Sequence, residues 1–370
     1  MGDTRMRTAA VRAAILTEDL VQSVVLIALR IRGRHHPMIV PFIGHGTTNR
    51  VRVGARVVRG RPGVAAPAVG VPAAELPSRR SRQAVLRSSL ARFLTVEIAG
   101  AGVTVSVPGG PRLVHSDPDG YVDAVLDVPA MEPGWHEVGL ALRDGVAVTA
   151  QVHVVDPESR IGLVSDVDDT IVETGLSRGL EFLRATLLTE VRDRTPLPGA
   201  AALYRAFVAA PGPARPVFYL STSPWNLHEM LLEFIALRRF PLGPLLLTDW
   251  GPPRSGPFRI GAQEHKTGVV RRLLDEHPGL RLVLVGDSGQ ADPQIYAQLA
   301  REHPHRIIAV YIRRVRPSSA RRMAELDALA AEVTAVGVPM LAVDDSVQIA
   351  EHAATIGLLD PAALAEVRAG

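Results

Sequence analysis

The sequence predicts an all-β region followed by an α/β region with a parallel sheet, with a helix in front of both. Between residues 37 and 156, short runs of partly alternating apolar residues are separated by turn signals such as Asp144-Gly145, a pattern typical of an antiparallel β-sandwich. After Asp156, apolar strands alternate with helical stretches, which predicts a parallel sheet flanked by helices. The chain has 370 residues, more than one hydrophobic core usually supports. We therefore predict a helix at 1–35, a β-sandwich-like domain at 36–156 and an α/β domain at 157–370.

The first predicted element is a helix from about Thr8 to Arg32, where apolar residues recur at near-helical spacing. We interpret it as a packing helix, with a helix that lies on a membrane surface as the alternative. Its most apolar stretch, 20–31, is shorter than the roughly twenty residues that span a bilayer. No cleavage-site pattern follows an apolar core near the start. The sequence thus predicts a soluble, cytoplasmic protein without a transmembrane segment.

Composition narrows the classes of function. The formal net charge is only +3, which does not predict nucleic-acid binding. The chain has no cysteine, which excludes disulfides, thiolate metal sites and a cysteine nucleophile. Among the 41 Lys and Arg residues, Lys266 is the only lysine. The abundance of Arg, Ala, Gly and Pro indicates a GC-rich bacterial genome, and this bias makes the one retained lysine informative.

A basic segment interrupts the β region. A loop rich in Ala, Pro and Gly at 60–77 leads into residues 79–92, which contain the arginines at 79, 80, 82, 87 and 92 among apolar residues. We interpret this segment as a short helix with a solvated basic face, and contact with an anionic membrane surface is the alternative. The β region shows no catalytic cluster.

The α/β region contains apolar strand segments at 161–165, 216–220, 244–248, 281–286, 306–312 and 339–343. Helical stretches fall near 199–210, 225–239, 265–277, 291–303, 318–333 and 345–357. In parallel α/β sheets the chemistry lies at the carboxyl ends of the strands. Polar residues at those ends are therefore the candidates for a functional site.

Acidic residues follow two of the predicted strands. Asp166, Asp168 and Asp169 follow the first, and Asp287 with Asp292 follow the fourth. Either group alone is explained more simply as an acidic turn that bonds backbone N–H groups. Clustered carboxylates repel one another unless a cation compensates, and two acidic strand ends at one sheet edge make an oxygen-rich pocket suited to Mg²⁺. The sequence therefore predicts a magnesium site.

The polar strand ends resemble the four motifs of the haloacid dehalogenase superfamily. Asp166, Asp168 and Thr170 match its first motif, Ser221 the second, Lys266 the third, and Asp287 with Asp292 the fourth. The phrases SDVDDTI, STSPW, HK and GDSGQADPQIY are similar to those of the actin patch protein family of Mg²⁺-dependent phosphatidate phosphatases. This resemblance covers about 160–357 and implies a Rossmann-like catalytic domain, which a β-rich region precedes in bacterial members.

The resemblance also implies a phosphomonoester hydrolase that works through an aspartyl-phosphate. Asp166 would be the nucleophile and Asp168 the general acid and base. Lys266 and Mg²⁺ would neutralise the charge of the phosphate. Asp166, Asp287, Asp292 and the backbone carbonyl of Asp168 would hold the metal. Asp292 would bind through water or would serve only as an acid at a helix start.

Several other residues have candidate roles. Ser221, directly after the second strand, is the candidate for binding the substrate phosphate, whereas Ser223 before Pro224 is interpreted as a helix N-cap. Asp169 and Thr170 are interpreted as structural. The remaining candidates are Trp225 and Asn226 as packing or pocket residues, His265 as a structural residue or a phosphate contact, and Asp249, Arg254 and Arg259 in a loop at 248–261.

We therefore expect a Mg²⁺-dependent phosphatase, and the family resemblance implies phosphatidate as its substrate. Residues 172–199 are long enough to form a small lid over the site. A phosphatase for a soluble phosphoester is the first alternative. A binding module with an idle α/β domain is the second, and the complete set of motif residues argues against it. Lys266 fits the phosphatase because its compact ammonium needs less room beside a metal and a phosphoryl group than an arginine fork.

Overall fold

The computed structural model describes residues 36–60, 96–143, 145, 147–171, 196–248, 262–315 and 318–370. The predicted helix at 1–35, the basic segment at 79–92, residues 172–195 of the predicted lid, and Asp249, Arg254 and Arg259 lie outside this part. Two hydrogen-bonded sheets organise the described residues. None of the helices in this part has both the length and the apolar character needed to span a bilayer.

The first sheet contains nine strands. They are β1 (His36–Pro41), β2 (Gly44–Thr47), β3 (Arg50–Gly60), β4 (Val96–Glu97), β5 (Gly102–Val107), β6 (Gly110–His115), β7 (Tyr121–Asp127), β8 (Gly134–Leu142) and β9 (Val148–Val154). Their order is β1-β3-β2-β9-β8-β5-β6, and β4 and β7 also pair with β3. The strand pairs are antiparallel, as predicted, except that β2 is parallel to β9.

The strands of this mixed sheet are joined by hydrogen bonds into one branched network, so the division into the two layers of a sandwich stays a prediction. Strand β3 has 11 residues and pairs with four other strands. Its C-terminal half pairs with β1, and its first residues pair with β2. A valine-rich core that includes Val53, Val105 and Val152 lies against the sheet, and these side chains are fully buried. Alternate residues of a strand face the same side, which explains the partial alternation in the sequence.

The second sheet contains six parallel strands. They are β10 (Ile161–Asp166), β11 (Val217–Pro224), β12 (Leu245–Thr248), β13 (Arg281–Asp287), β14 (Ile307–Arg313) and β15 (Met340–Val343). The helices of the described part are α1 (Ala200–Val208), α2 (His228–Leu237), α3 (Ala262–Glu276), α4 (Asp292–Glu302), α5 (Ala320–Ala335), α6 (Ser346–Thr355) and α7 (Ala363–Ala369). The predicted alternation of strand and helix is confirmed.

The strand order places two of the acidic strand ends side by side. The order is β12-β11-β10-β13-β14-β15, so the chain winds outward from β10 in one direction and then from β13 in the other. Helices α1, α2, α6 and α7 share a core on one face, and α3, α4 and α5 share a core on the other. In such doubly wound sheets, ligands bind where the winding direction changes. That point lies between the ends of β10 and β13.

The two sheets contact each other through aromatic and ionic side chains. Phe42 stacks on Trp225 with ring centroids 4.2 Å apart. Near the other end of the parallel strands, Arg52 Nη2 donates to Glu276 Oε1 at 2.6 Å, and the Nδ1 of His45 lies 3.2 Å from the Nε2 of His277. Burial lowers the pKa of His45 well below its usual value and that of His277 to about 4. Both imidazoles are therefore neutral at pH 7.

Candidate active site

Three carboxylates meet at the change of winding direction. Asp166 ends β10, Asp287 ends β13, and Asp292 begins α4. All three side chains are fully buried. One carboxylate oxygen from each lies within 4.8 Å of the other two. The structure thus brings together the acidic strand ends that the sequence singled out.

Lys266 is the cation among these carboxylates. It lies in the second turn of α3, and it is 1% exposed. Its Nζ donates to Asp166 Oδ1 at 2.6 Å and to Asp292 Oδ1 at 2.5 Å. The neighbouring His265 is half-buried, and its Nε2 is buried without a hydrogen-bond partner among the described residues. Its contact with phosphate therefore stays a prediction.

The site places three carboxyl groups beside one ammonium group. Burial raises the pKa of Asp166 well above its usual value, and the nearby carboxylates add to this, although Lys266 opposes it. Burial, followed by the charge of Asp292, raises the pKa of Asp287 to about 7. One ammonium thus leaves the three carboxylates incompletely neutralised.

The residues present fit a hard divalent cation. Asp287 Oδ1 accepts the backbone N–H groups of Gly289 and Gln290. Its Oδ2 is buried and has no hydrogen-bond partner among the described residues. An open carboxylate oxygen beside a second carboxylate is the donor set that Mg²⁺ prefers. Asp292 differs, since its Oδ1 accepts from Lys266 and its Oδ2 accepts from the backbone N–H of Asp287 at 3.3 Å.

Asp168 lies on the other side of the strand end and is held by two hydroxyl groups. Ser221 Oγ donates to Asp168 Oδ2 at 2.8 Å, and Ser223 Oγ donates to the same oxygen at 2.9 Å. Burial raises the pKa of Asp168, while these two hydrogen bonds oppose the shift. Thr170 Oγ1 donates to Asp166 Oδ2 at 3.2 Å, so this hydroxyl also contacts the site.

The interpretation of Ser223 as a helix N-cap is wrong. Strand β11 continues through Pro224, a 3₁₀ turn follows at Trp225–Leu227, and α2 begins only at His228. The Ser223 hydroxyl contacts Asp168 instead of a free backbone N–H of a helix. Trp225 packs on Phe42, which favours the packing role over the pocket role that the sequence left open. Asp169 adopts a left-handed backbone with φ of 53°, consistent with its interpretation as a loop residue.

The sequence analysis missed two residues around the carboxylates. Tyr296 is fully buried, its hydroxyl has no hydrogen-bond partner among the described residues, and it follows Asp292 by one helical turn. The spacing of four residues on a helix could have placed it on the same face. Gly286 allows the close approach of α4, because a Cβ there would lie 2.5 Å from Asp292 Oδ2 and 2.7 Å from Tyr296 Cε2.

Comparison with known proteins identifies relatives of this region. The family described as "Phosphatidate phosphatase APP1, catalytic domain" matches residues 161–314. Phosphatidate phosphatase APP1 of Saccharomyces cerevisiae is 28% identical over 170 residues, which are 46% of this chain and 28% of that protein. An uncharacterized protein of Schizosaccharomyces pombe is 27% identical over 173 residues, 46% of this chain and 27% of its own length. Both relatives are yeast proteins, so the bacterial origin stays a prediction.

The matched part thus spans less than a third of the curated relatives. A crystal structure of a carbohydrate acetylesterase from Xanthomonas citri covers 80% of this chain and 75% of its own, with 11% identity and a TM-score of 0.26. A score this low supports no conclusion. The family match, in contrast, contains both acidic strand ends, the two serines and Lys266. Residues 161–314 therefore resemble the APP1 phosphatidate phosphatase catalytic domain, the family whose model they match.

Proposed function

We propose that this protein is a phosphatase that removes the phosphate of phosphatidate, leaving diacylglycerol. The observation that carries the proposal is the buried contact of Lys266 with Asp166 beside the open oxygen of Asp287. The family match supports the same reaction class. A catalytically idle module would have no reason to bury one lysine among three carboxylates, since burying charges is costly unless they serve each other.

In the proposed reaction, the carboxylate of Asp166 attacks phosphorus and the bond from phosphorus to the ester oxygen breaks. Asp168 gives its proton to the departing alkoxide, which becomes the hydroxyl of diacylglycerol. Asp168 then takes a proton from a water molecule that attacks phosphorus, the bond from phosphorus to the Asp166 oxygen breaks, and inorganic phosphate leaves with the Asp166 carboxylate restored. Lys266 stabilises the negative charge of the phosphoryl oxygens throughout. Ser223 keeps Asp168 oriented toward the site. The hydroxyl of Ser221, which donates to Asp168 in the free site, is the proposed contact to phosphate and would turn to a phosphoryl oxygen when substrate binds.

A magnesium ion would be held by Asp166, Asp287 and the backbone carbonyl of Asp168, with Asp292 contributing through water. When bound, the ion would neutralise part of the phosphate charge. The proposal extends to the arrangement of the chain as a helix at 1–35, a β-rich domain at 36–156 and a haloacid dehalogenase-like catalytic domain at 157–370. The cytoplasmic location and the contact with an anionic membrane surface stay predictions.

The test measures phosphate release with Mg²⁺ or with EDTA for the wild type and Asp166→Asn. The substrates are phosphatidate vesicles, lysophosphatidate and a panel of soluble phosphoesters. We expect Mg²⁺-dependent release from phosphatidate and its loss in Asp166→Asn, because an amide is not a competent nucleophile here. Asp275→Asn, an exposed change on α3, is the control and should retain activity. Turnover confined to soluble esters would overturn the lipid assignment, and an active Asp166→Asn would overturn the mechanism.

A further inference from the structure

A second cluster of metal-ligating side chains lies at the contact between the two sheets, outside the candidate active site. His45 belongs to β2, Glu276 is the last residue of α3, and His277 follows it. Both histidines are buried, at 2% and 3% exposure. One donor atom from each residue lies within 4.8 Å of the other two. His45 and His277 are 232 positions apart in the sequence, so the fold alone creates this cluster.

The ligand atoms lie at separations close to those around a tetrahedral ion, with the two nitrogens of His45 facing different partners. The Nδ1 of His45 and the Nε2 of His277 are 3.2 Å apart, and the Nε2 of His45 is 3.8 Å from Glu276 Oε2. Bonds of about 2.0–2.1 Å to a tetrahedral Zn²⁺ place neighbouring ligand atoms roughly 3.3–3.4 Å apart. One ion uses a single nitrogen of His45, and rotation of that ring would bring the chosen nitrogen to a position shared with Glu276 and His277.

The carboxylate of Glu276 is already oriented for such a role. Its Oε1 accepts from Arg52 Nε at 3.0 Å and from Arg52 Nη2 at 2.6 Å. Its Oε2 is buried and has no hydrogen-bond partner among the described residues. Carboxylates that bind metals are commonly fixed by a hydrogen bond to their second oxygen. A simple hydrogen bond between the two histidines would explain their contact, but it would leave the Oε2 of Glu276 open.

The helix favours a cation at this position. Glu276 and His277 stand at the carboxyl end of the 15-residue helix α3, where the helix dipole is negative. Arg52 and Arg272 lie close enough to act on His45 and oppose a cation. The charges of Glu276 and of Asp123, which accepts from Arg52 at 2.5 Å, offset them.

We propose that His45, Glu276 and His277 bind a divalent transition-metal ion of the Zn²⁺ class, with water in the remaining position. Two neutral imidazoles and one carboxylate are the ligand types that such ions take in proteins, whereas Mg²⁺ prefers oxygen ligands alone. The ion links β2 of the mixed sheet to α3, the helix whose second turn carries Lys266. This site does not depend on the proposed phosphatase activity.

The test is calorimetric titration of the full chain with Zn²⁺ at neutral pH in excess Mg²⁺, for the wild type and for Asp287→Asn. We expect one Zn²⁺ per chain in both proteins, and at least 10-fold weaker binding in His45→Gln and in His277→Gln, each of which removes one ligand. Zinc at 100 times its Kd stabilises the folded chain by about 2.7 kcal/mol, which should raise the Tm of the 370-residue wild type by roughly 3–4 °C. His303→Gln removes a half-exposed histidine next to Glu302 and should bind Zn²⁺ as the wild type does.

Glu276→Gln provides a variant that keeps the contact to Arg52, because the amide oxygen can still accept from the guanidinium. Its expected loss of Zn²⁺ affinity is also at least 10-fold, and it tests the proposal if either histidine variant fails to fold. Absence of saturable Zn²⁺ binding in the wild type would refute the site. Binding that is lost in Asp287→Asn but kept in His277→Gln would assign the ion to the acidic cluster and refute the site as well.

Discussion

Replacing Lys266 with arginine keeps the charge of the candidate active site and changes only its shape. The ammonium has no spare room, since its two acceptors lie at 2.6 and 2.5 Å and the side chain is 1% exposed. The carboxylate of Asp292 cannot easily move away from a larger side chain, because its Oδ2 accepts from the backbone N–H of Asp287 and lies against Gly286. The broad guanidinium fork must therefore displace Asp166 or lose a hydrogen bond.

The expected magnitude follows from these contacts. A misplacement of about 1 Å in an active site costs roughly 100-fold in rate. A lost hydrogen bond to a charged group costs about 1.5–3 kcal/mol, which corresponds to a rate factor of roughly 10 to 150. We therefore expect kcat for phosphate release to fall about 100-fold or more in Lys266→Arg. Overpacking of a buried site costs about 1–3 kcal/mol, so the Tm of the 370-residue chain should also fall by roughly 1–4 °C.

The assay combines steady-state phosphate release from phosphatidate with thermal melts followed by circular dichroism. Arg271→Lys is the matched control, because it makes the reverse exchange on the same helix at a half-exposed side chain that pairs with Glu302. We expect that control to be within about 0.5 kcal/mol of the wild type in stability and to retain activity. Turnover of Lys266→Arg close to that of the wild type would show that the shape of the cation does not matter.

Further predictions concern the metal, the packing of α4 and the response to acid. Asp287→Asn should weaken the dependence on Mg²⁺, seen as a rise of at least 10-fold in the Mg²⁺ concentration for half-maximal activity; an unchanged requirement would contradict the metal assignment. Gly286→Ala should destabilise the fold by about 1–3 kcal/mol in urea denaturation, because its Cβ would lie 2.5 Å from Asp292 Oδ2. Gly268→Ala, whose Cβ would meet nothing within 4 Å, should instead stabilise α3 by about 0.5–1 kcal/mol, and equal effects would refute the steric argument. Burial lowers the pKa of His228 to about 3. Below pH 6.5 the imidazole of His228 therefore binds a proton in the unfolded chain but not in the folded chain. Between pH 8 and pH 5, this residue should lower the free energy of unfolding of the wild type by about 2 kcal/mol. Urea denaturation of His228→Leu at both pH values should show a loss of stability that is smaller by that amount. Equal losses in the wild type and the variant would contradict this prediction.

Much of the α/β region was predictable because its strands are buried on both faces. Strands such as β13, with the burial of every residue after Arg281, appear in the sequence as continuous apolar runs. The proximity of the acidic residues that follow β10 and β13 could be predicted from the sequence, because parallel strands have their carboxyl ends at the same edge of the sheet. The start of α2 could not be predicted correctly, because Ser223 followed by Pro224 is the local sequence pattern of a helix start. The strand pairing of β11 and the contact with Asp168 outweigh that local preference.

The strand order of the mixed sheet, in contrast, could not be predicted from the sequence. Alternation of apolar residues identified its strands, but it carries no information about which strands pair. Strand β3 joins β1, β2, β4 and β7, and β2 pairs in parallel with β9. Apart from the hairpin of β2 and β3, these pairings depend on contacts between residues far apart in the chain. For the same reason, no local pattern predicts that His45 meets His277.

The burial of the only lysine has a practical consequence for following the protein in solution. A protease specific for lysine can cut this chain only after Lys266, giving fragments 1–266 and 267–370. Because that bond lies within α3 and the side chain is buried, cleavage requires this helix to open. At a protease concentration high enough for cleavage to outpace reclosing, the rate at which the two fragments appear therefore measures how often the helix opens. A cation or phosphate that binds only the closed site would protect the chain from the cut.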